Sequence, residues 1–514
     1  MKTPSPVVLM LCLAFVCSGE LRGQTDLDVP AHPRELSFGR VAVALPSVDG
    51  RAVRLDSGPL VFLAEDHTLP LVEIAVALRV GSFLDPPGKL GLASLTGALV
   101  RRAGTAELEA AELDVRIDHL GARMDSFAGI ARGGASLSAP TWVLEEALDL
   151  FGEILRHPGF QMEQFEAAKD NLRESMMRRN EDPLEILQRE WEWLMFGDRH
   201  FSTVPLTIGS LEAVTRQDLV THHRHCWRPE NMLLAVSGDF DRKWLLPRLE
   251  EMFADWPADD DPAADQRTTS TVAWPPEGPP AGVGAGLFHV EADTPQAKIA
   301  FGHRAQPGLE WNDPDRFALE VVMEVLGGTG AISRLAGRLR TAEGLVYRAS
   351  AVYEVGTLWP EYFQVFFDTD SRNIARAIDL ALEEIERLRT QSIHPRELEV
   401  VKQTLLSRLR LSFDTAEEIA GRFAEDRLLD RPHSYWESYR HGIEQVTVDD
   451  ARQAARRFLL PEKLVYLVVG RWAELSQGKP EGESELERVT AHRVTHLPQR
   501  DPLTMEPRDR LRAP

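Results

Sequence analysis

Two stretches of this chain carry one pattern 232 residues apart, and that repetition limits the available folds more than any other feature. The first copy reads Val214-Thr215, Asp218, Pro229-Glu230, Val236 and Gly238; the second reads Val446-Thr447, Asp450, Pro461-Glu462, Val468 and Gly470. Each copy predicts a helix that stops ahead of Pro, which lacks the N–H needed to continue it, and then a short apolar strand, LLAVSGD or VYLVVGR. Upstream, Ile74-Ala75 and Arg79 recur as Ile299-Ala300 and Arg304, now 225 residues apart, so small insertions separate the copies. Self-similarity at this period implies a duplicated domain.

Inside each half, strand and helix patterns alternate. Leu144, Leu148, Phe151 and Leu155 stand at helical spacing in a segment that stops at Pro158, whereas 121–139 reads as a hairpin of strands around Gly133-Gly134. The expected class is therefore α+β: two tandem homologous domains, each a mostly antiparallel sheet with helices packed on one face. The expected boundaries are 37–256 and 287–473. Between them, 257–286 contains ADDDPAAD, WPPEGPP and AGVGAG and reads as an exposed linker. GVGAG is no phosphate loop, because no Lys-Ser/Thr follows it between a strand and a helix. Residues 474–514 form a polar, Pro-containing tail, expected to be loosely held.

At 514 residues the chain exceeds one core, and 43% hydrophobic with 27% charged residues is the balance of a globular protein. Its formal net charge of −22 argues against nucleic acid and anionic lipid as partners. Residues 1–24 carry Lys2, an apolar run from Val7 to Val16, then Ser18 and Gly19, the layout of a secretory signal peptide. The run is too short to span a bilayer, so a secreted chain, in a bacterium a periplasmic one, with no transmembrane segment is expected. Cys12 and Cys17 fall in that segment; Cys226 alone remains, unable to form an internal disulfide and read as a core residue.

The run from Val72 to Thr105, VEIAVALRVGSFLDPPGKLGLASLTGALVRRAGT, orders a strand, Gly-Ser, Asp-Pro, and a helix opened by Gly-Leu-Ala and closed near Gly-Thr. This order resembles the pitrilysin/insulinase-like family of zinc peptidases, the inverzincins. The resemblance runs from about Ser37 to Trp472, with HPGF at His157, WRPENMLLAVSGD at Trp227 and LGGTGAISRL at Leu326 as further landmarks. It implies the fold of mitochondrial processing peptidase. It also implies H-x-x-E-H on the helix, two histidines sharing one face as zinc ligands with a Glu as general base. Here the matching positions are Ser94, Gly97 and Ala98, which offer a neutral hydroxyl and nothing else. Glu174 looks like the third ligand, but one carboxylate does not hold a catalytic metal, and it reads as an ordinary helix residue. His222, His223 and His225 read as surface and core, with no carboxylate placed to complete a metal site. No metal site is expected in this chain.

The second half keeps the pattern L-R-T-x-x-x-L-x-Y as Leu339-Arg340-Thr341 to Leu345 and Tyr347. By resemblance, Arg340 and Tyr347 are the catalytic and substrate-binding pair that a non-metal half contributes, hydrogen-bonding the scissile carbonyl as it gains charge. Gly327, Gly328 and Gly330 are similar in place to the glycine-rich loop of the non-catalytic subunit of mitochondrial processing peptidase, which makes Gly327 and Gly328 substrate-binding candidates. A helix C-cap is the plainer reading. The resemblance implies a non-zinc-binding subunit working with an H-x-x-E-H-containing peptidase subunit, zinc residing in that partner, and unfolded peptide substrates. The alternative is a catalytically inactive structural or peptide-binding member.

Overall fold

The repeated motif is explained by local physics. Thr215 and Thr447 each cap a helix, Arg216–Cys226 and Val448–Phe458, through reciprocal bonds with Asp218 and Asp450. Those bonds satisfy backbone N–H groups that the first helical turn leaves unpaired. Pro229 and Pro461 then open single 3-10 turns, and the apolar runs behind them become the strands Leu233–Gly238 and Val465–Gly470. Gly238 sits at φ +112 where a Cβ would lie 2.0 Å from the carbonyl oxygen of Leu71, so only glycine fits.

This computed structural model describes residues 44–254, 256, 282–306, 309, 311–328, 333–354, 362–476 and 484–508. The expected signal segment, most of the expected linker and Gly330 lie outside them. All described residues belong to one compact unit. In the first half the strands are β1 (Ala52–Arg54), β2 (Leu60–Glu65), β3 (Leu71–Leu78), β4 (Arg123–Ala128), β5 (Gly133–Pro140) and β6 (Leu233–Gly238). In the second they are β7 (Gly286–Glu291), β8 (Gln296–Arg304), β9 (Val346–Tyr353), β10 (Tyr362–Asp370), β11 (Val465–Gly470) and β12 (Val494–Leu497).

The first sheet runs β1-β2-β6-β3-β5-β4 and the second β12-β7-β11-β8-β10-β9. Five strands of one map onto five of the other in the same order, which is the duplication seen in the sequence. Within the first sheet only β2 and β6 run parallel, and in the second only β12, β7 and β11 do, so both are mostly antiparallel. The hairpin of β4 and β5 forms as expected, but Gly133 and Gly134 open β5 rather than making the turn. Gly134 is there because a Cβ would lie 1.9 Å from Val76 O across the ladder.

Each half packs its own helices on one face of its sheet, and the other face receives a helix from the opposite half. Ala416–Leu428 lies over β2, β6 and β3, where Ala420, Phe423 and Ala424 share one core with Phe62, Ala64 and Ala235. In return Pro183–Phe196 lies over β8 and β11, burying Trp191, Leu194 and Met195 against Ala300, Val465 and Leu467. Neither helix announces this in sequence, since an apolar stripe does not say whose sheet it will cover.

The tail departs from the expectation of loose holding. Beyond Ser484, β12 pairs in parallel with β7, and the chain then crosses to the first half. There Ile208 N–H donates to Leu503 O at 2.8 Å and Arg500 meets the buried Glu190 at 3.1 Å. Its polar composition serves specific hydrogen bonds, which composition alone does not reveal. Near the end of the expected linker Val283 N–H donates to Leu194 O, and Gly286 already belongs to β7.

Candidate functional site

The helix Leu92–Arg102 carries the three positions where zinc chemistry is expected in the family, and its start is held by Asp85. The Asp85 carboxylate accepts the backbone N–H groups of Gly91 and Ala93, both at 2.8 Å, while Gly91 takes φ +96 to turn the chain into the helix. This gives the Asp-Pro and Gly-Leu-Ala landmarks their physical reason: an anion at a helix N-terminus, on unpaired donors. Burial pushes the Asp85 carboxyl up to about 6 against those bonds.

The helix then packs flat on β4. Gly97 is buried, and a Cβ built on it would lie 2.2 Å from the Ala128 backbone nitrogen. Nothing larger than glycine fits there without moving the strand, so the general-base position is sealed by packing as well as stripped of its carboxylate. Ser94 and Ala98 on either side are half-buried. Glu174 is exposed on its helix, with Arg178 at 3.8 Å as its ion-pair partner. These residues do not fit zinc, and among the described residues no group of three or more His, Cys, Asp or Glu side chains is placed to hold a metal.

The histidine cluster is structural. His222 and His223 are buried on the helix Arg216–Cys226; His223 Nε2 lies 2.9 Å from Leu155 O and its ring stacks on Trp227. Burial lowers His222 to about 4 and His223 to about 3. Cys226 packs half-buried against the same core.

In the second half the structure brings Arg340 and Tyr347 together. Arg340 lies in a π-helical turn, Ala336–Ala342, whose Leu339 is fully buried. Gly344 at φ +64 then reverses the chain, its N–H donating to Arg340 O, and Leu345 N–H donates to Leu339 O at 2.8 Å. The strand β9 starts at once, placing Tyr347 beside the turn with 79% of its surface exposed. The Arg340 guanidinium stands 4.9 Å from the Tyr347 ring centroid, a cation–π pair. Neither side chain hydrogen-bonds to another described residue, so guanidinium and phenol donors both face solvent. Behind them Glu343 holds Arg338 at 3.4 Å and Arg376 at 3.8 Å, buttressing the turn. Sequence reasoning found the pair and missed the π-turn, because one extra residue per turn leaves no mark on composition.

The glycines take structural places. Gly327 ends the helix Pro314–Gly327, buried where a Cβ would lie 2.1 Å from Ala351 N, and Gly328 is the C-cap, its N–H donating to Glu324 O.

Known proteins agree with this architecture. The family described as Insulinase (Peptidase family M16) matches residues 60–196, and the one described as Peptidase M16 inactive domain matches 213–405. An uncharacterized zinc protease of Mycobacterium tuberculosis is 27% identical over 319 residues, covering 61% of this chain and 69% of that one. A protein of Helicobacter pylori named a non-peptidase homolog is 24% identical over 356 residues, covering 67% and 76%. Among solved structures, a peptidase M16 inactive domain from Pseudomonas fluorescens shares the fold, with a TM-score of 0.69 at 21% identity over 82% of this chain and 98% of that one. The two family matches and the duplicated six-stranded sheets converge: the chain belongs to the insulinase-like M16 peptidase family, as a member with no H-x-x-E-H anywhere in its sequence.

Proposed function

We propose that this chain is the non-metal subunit of a two-chain peptidase, exported to the bacterial periplasm by its leader and active with a separate chain that bears H-x-x-E-H and binds zinc. The observation that supports this most is the contrast between the two halves. The position for the general base is closed by Gly97 against β4, while Arg340 and Tyr347 stay adjacent, exposed and without hydrogen-bond partners among the described residues. Idle donors on a surface cost little and prove little; two of them side by side beside a strand edge suit a peptide carbonyl.

Among the described residues the strand β9 is at the edge of its sheet and pairs on one side only, with β10. An unfolded peptide adding along such an edge gains main-chain hydrogen bonds whatever its sequence. Tyr347 and Arg340 then stand where they can donate to the carbonyl oxygen as it becomes an oxyanion, a contribution of about 3 kcal/mol for one such donor. The test is reconstitution with the chain that co-purifies from the periplasm. Arg340→Ala is expected to lower kcat about 100-fold with little change in KM. An unchanged rate removes the role, and a lone chain that cleaves peptide with stoichiometric zinc refutes the whole reading.

A further inference from the structure

Strand β9 breaks its own alternation beside the exposed pair. From Phe363↔Tyr353 to Phe367↔Ala349 its pairing with β10 advances one residue for one, but Val346 then lies opposite Thr369, so Tyr347 and Arg348 together oppose Asp368. Two residues against one is a β-bulge, which bends a strand and re-aims its side chains. Burial follows the bulge: Val346, Ala349 and Ala351 are buried, whereas Tyr347 and Arg348, though consecutive, are both exposed. In an unbroken strand neighbours point to opposite faces, and one of the two would face the core.

The bulge is fixed from behind. Thr369, 2% exposed, donates its hydroxyl to Leu345 O at 2.6 Å, and the Leu345 N–H donates to Leu339 O at 2.8 Å. Leu345 is thus pinned at both its polar groups, and the extra residue is taken up directly after Val346. We infer that Arg348 is a third substrate-contacting side chain of this site, a specificity-determining residue that binds a carboxylate of the peptide within two residues of the scissile bond. The inference rests on the proposed placement of peptide along β9, with its carbonyl at Arg340 and Tyr347.

Charge decides what Arg348 reads. Among the described residues it makes no hydrogen bond and no ion pair. The carboxylates of the bulge and the turn are already paired: Asp368, across the ladder, with Lys298 at 3.0 Å, and Glu343 with Arg338 and Arg376. Two guanidiniums therefore flank the Tyr347 phenol with no acid between them. The net charge of −22 is spread over the whole chain, and salt screens it beyond about 8 Å, so this local pair of cations sets the preference. A guanidinium takes a carboxylate through two parallel N–H bonds, which no neutral amide reproduces. Consecutive Cα atoms are about 3.8 Å apart, close to the rise of one peptide residue, and this places the carboxylate one or two residues from the carbonyl. An Asp or Glu side chain and a chain-terminal carboxylate offer the same chemistry.

The test uses the reconstituted two-chain enzyme and two series of peptides. In one, both ends are blocked and Asp or Asn stands at each position up to two residues from the scissile bond; in the other, the peptide ends at that position as a free carboxylate or an amide. The expected result is a preference of about tenfold in kcat/KM for the carboxylate member, carried mainly by KM. Arg348→Ala is expected to bring that member down to the level of its neutral counterpart, and Arg348→Glu to reverse the order. A preference in the first series assigns Arg348 to acidic side chains, and one in the second series alone assigns it to chain ends. No preference in either, a preference that survives Arg348→Ala, or an equal loss for both members overturns the assignment and, with cleavage intact, leaves the subunit role standing. If the mixture cleaves nothing, the subunit role fails, and anisotropy of the same peptides, fluorescently labelled, on the lone chain decides: a carboxylate preference abolished by Arg348→Ala upholds the contact, and its absence removes it.

Discussion

Gly97 shows how a site is lost twice, once in chemistry and once in space. Grafting H-x-x-E-H back as Ser94→His, Gly97→Glu and Ala98→His places a carboxylate where a Cβ alone would sit 2.2 Å from Ala128 N. The graft is expected to bind no stoichiometric zinc, and Gly97→Glu alone to cost about 1–3 kcal/mol by overpacking, measured by metal analysis and denaturant titration. His222 and His223 make a second prediction at this scale. Their folded values, about 4 and about 3, lie below the ordinary 6.5, so below 6.5 the unfolded chain takes up protons that the folded chain refuses. Their contribution is whole above pH 6.5 and is lost as pH falls toward 4. At pH 5 the loss is about 2 kcal/mol for each, and His223→Gln removes its share of the slope in denaturation at pH 7 against pH 5.

The exchanged helices set the stability of the molecule at the level of its elements. Trp191 is buried to 1% exposure in a helix of the first half, yet packs edge-on against Tyr362 of the second, their rings 5.8 Å apart. Trp191→Ala is expected to cost about 3–5 kcal/mol and to lower thermal stability of both halves in one transition, checked by calorimetry. Two separate transitions would show that the exchanged helix does not couple them. Capping boxes, Pro breaks and alternating strands were all readable, because each depends on neighbours a few residues away. The destination of a helix was not: Pro183–Phe196 and Ala416–Leu428 have ordinary apolar stripes, and only the assembled sheets decide which face each one covers.

Across the whole molecule the C-terminal segment joins what the duplication left separate. Arg500 reaches Glu190, itself 2% exposed, at 3.1 Å, and lies over Trp193 at 5.1 Å. Arg189 stays near Glu190 at 3.3 Å, so Arg500→Ala leaves that carboxylate partly compensated and is expected to cost about 2 kcal/mol, read from denaturant unfolding. Read without a structure, residues 474–514 are merely polar, since hydrogen bonds to distant backbone have no local signature. By itself the sequence determined the two homologous halves, the mostly antiparallel α+β class and the absence of H-x-x-E-H, each written in short-range pattern or residue chemistry, whereas Arg340 and Tyr347 were singled out by family resemblance. Tertiary structure alone decided that Gly97 is sealed, that helices are exchanged between halves and that the tail is a strap. Those outcomes depend on which surfaces touch, and contacts between residues hundreds of positions apart are set by packing the whole chain.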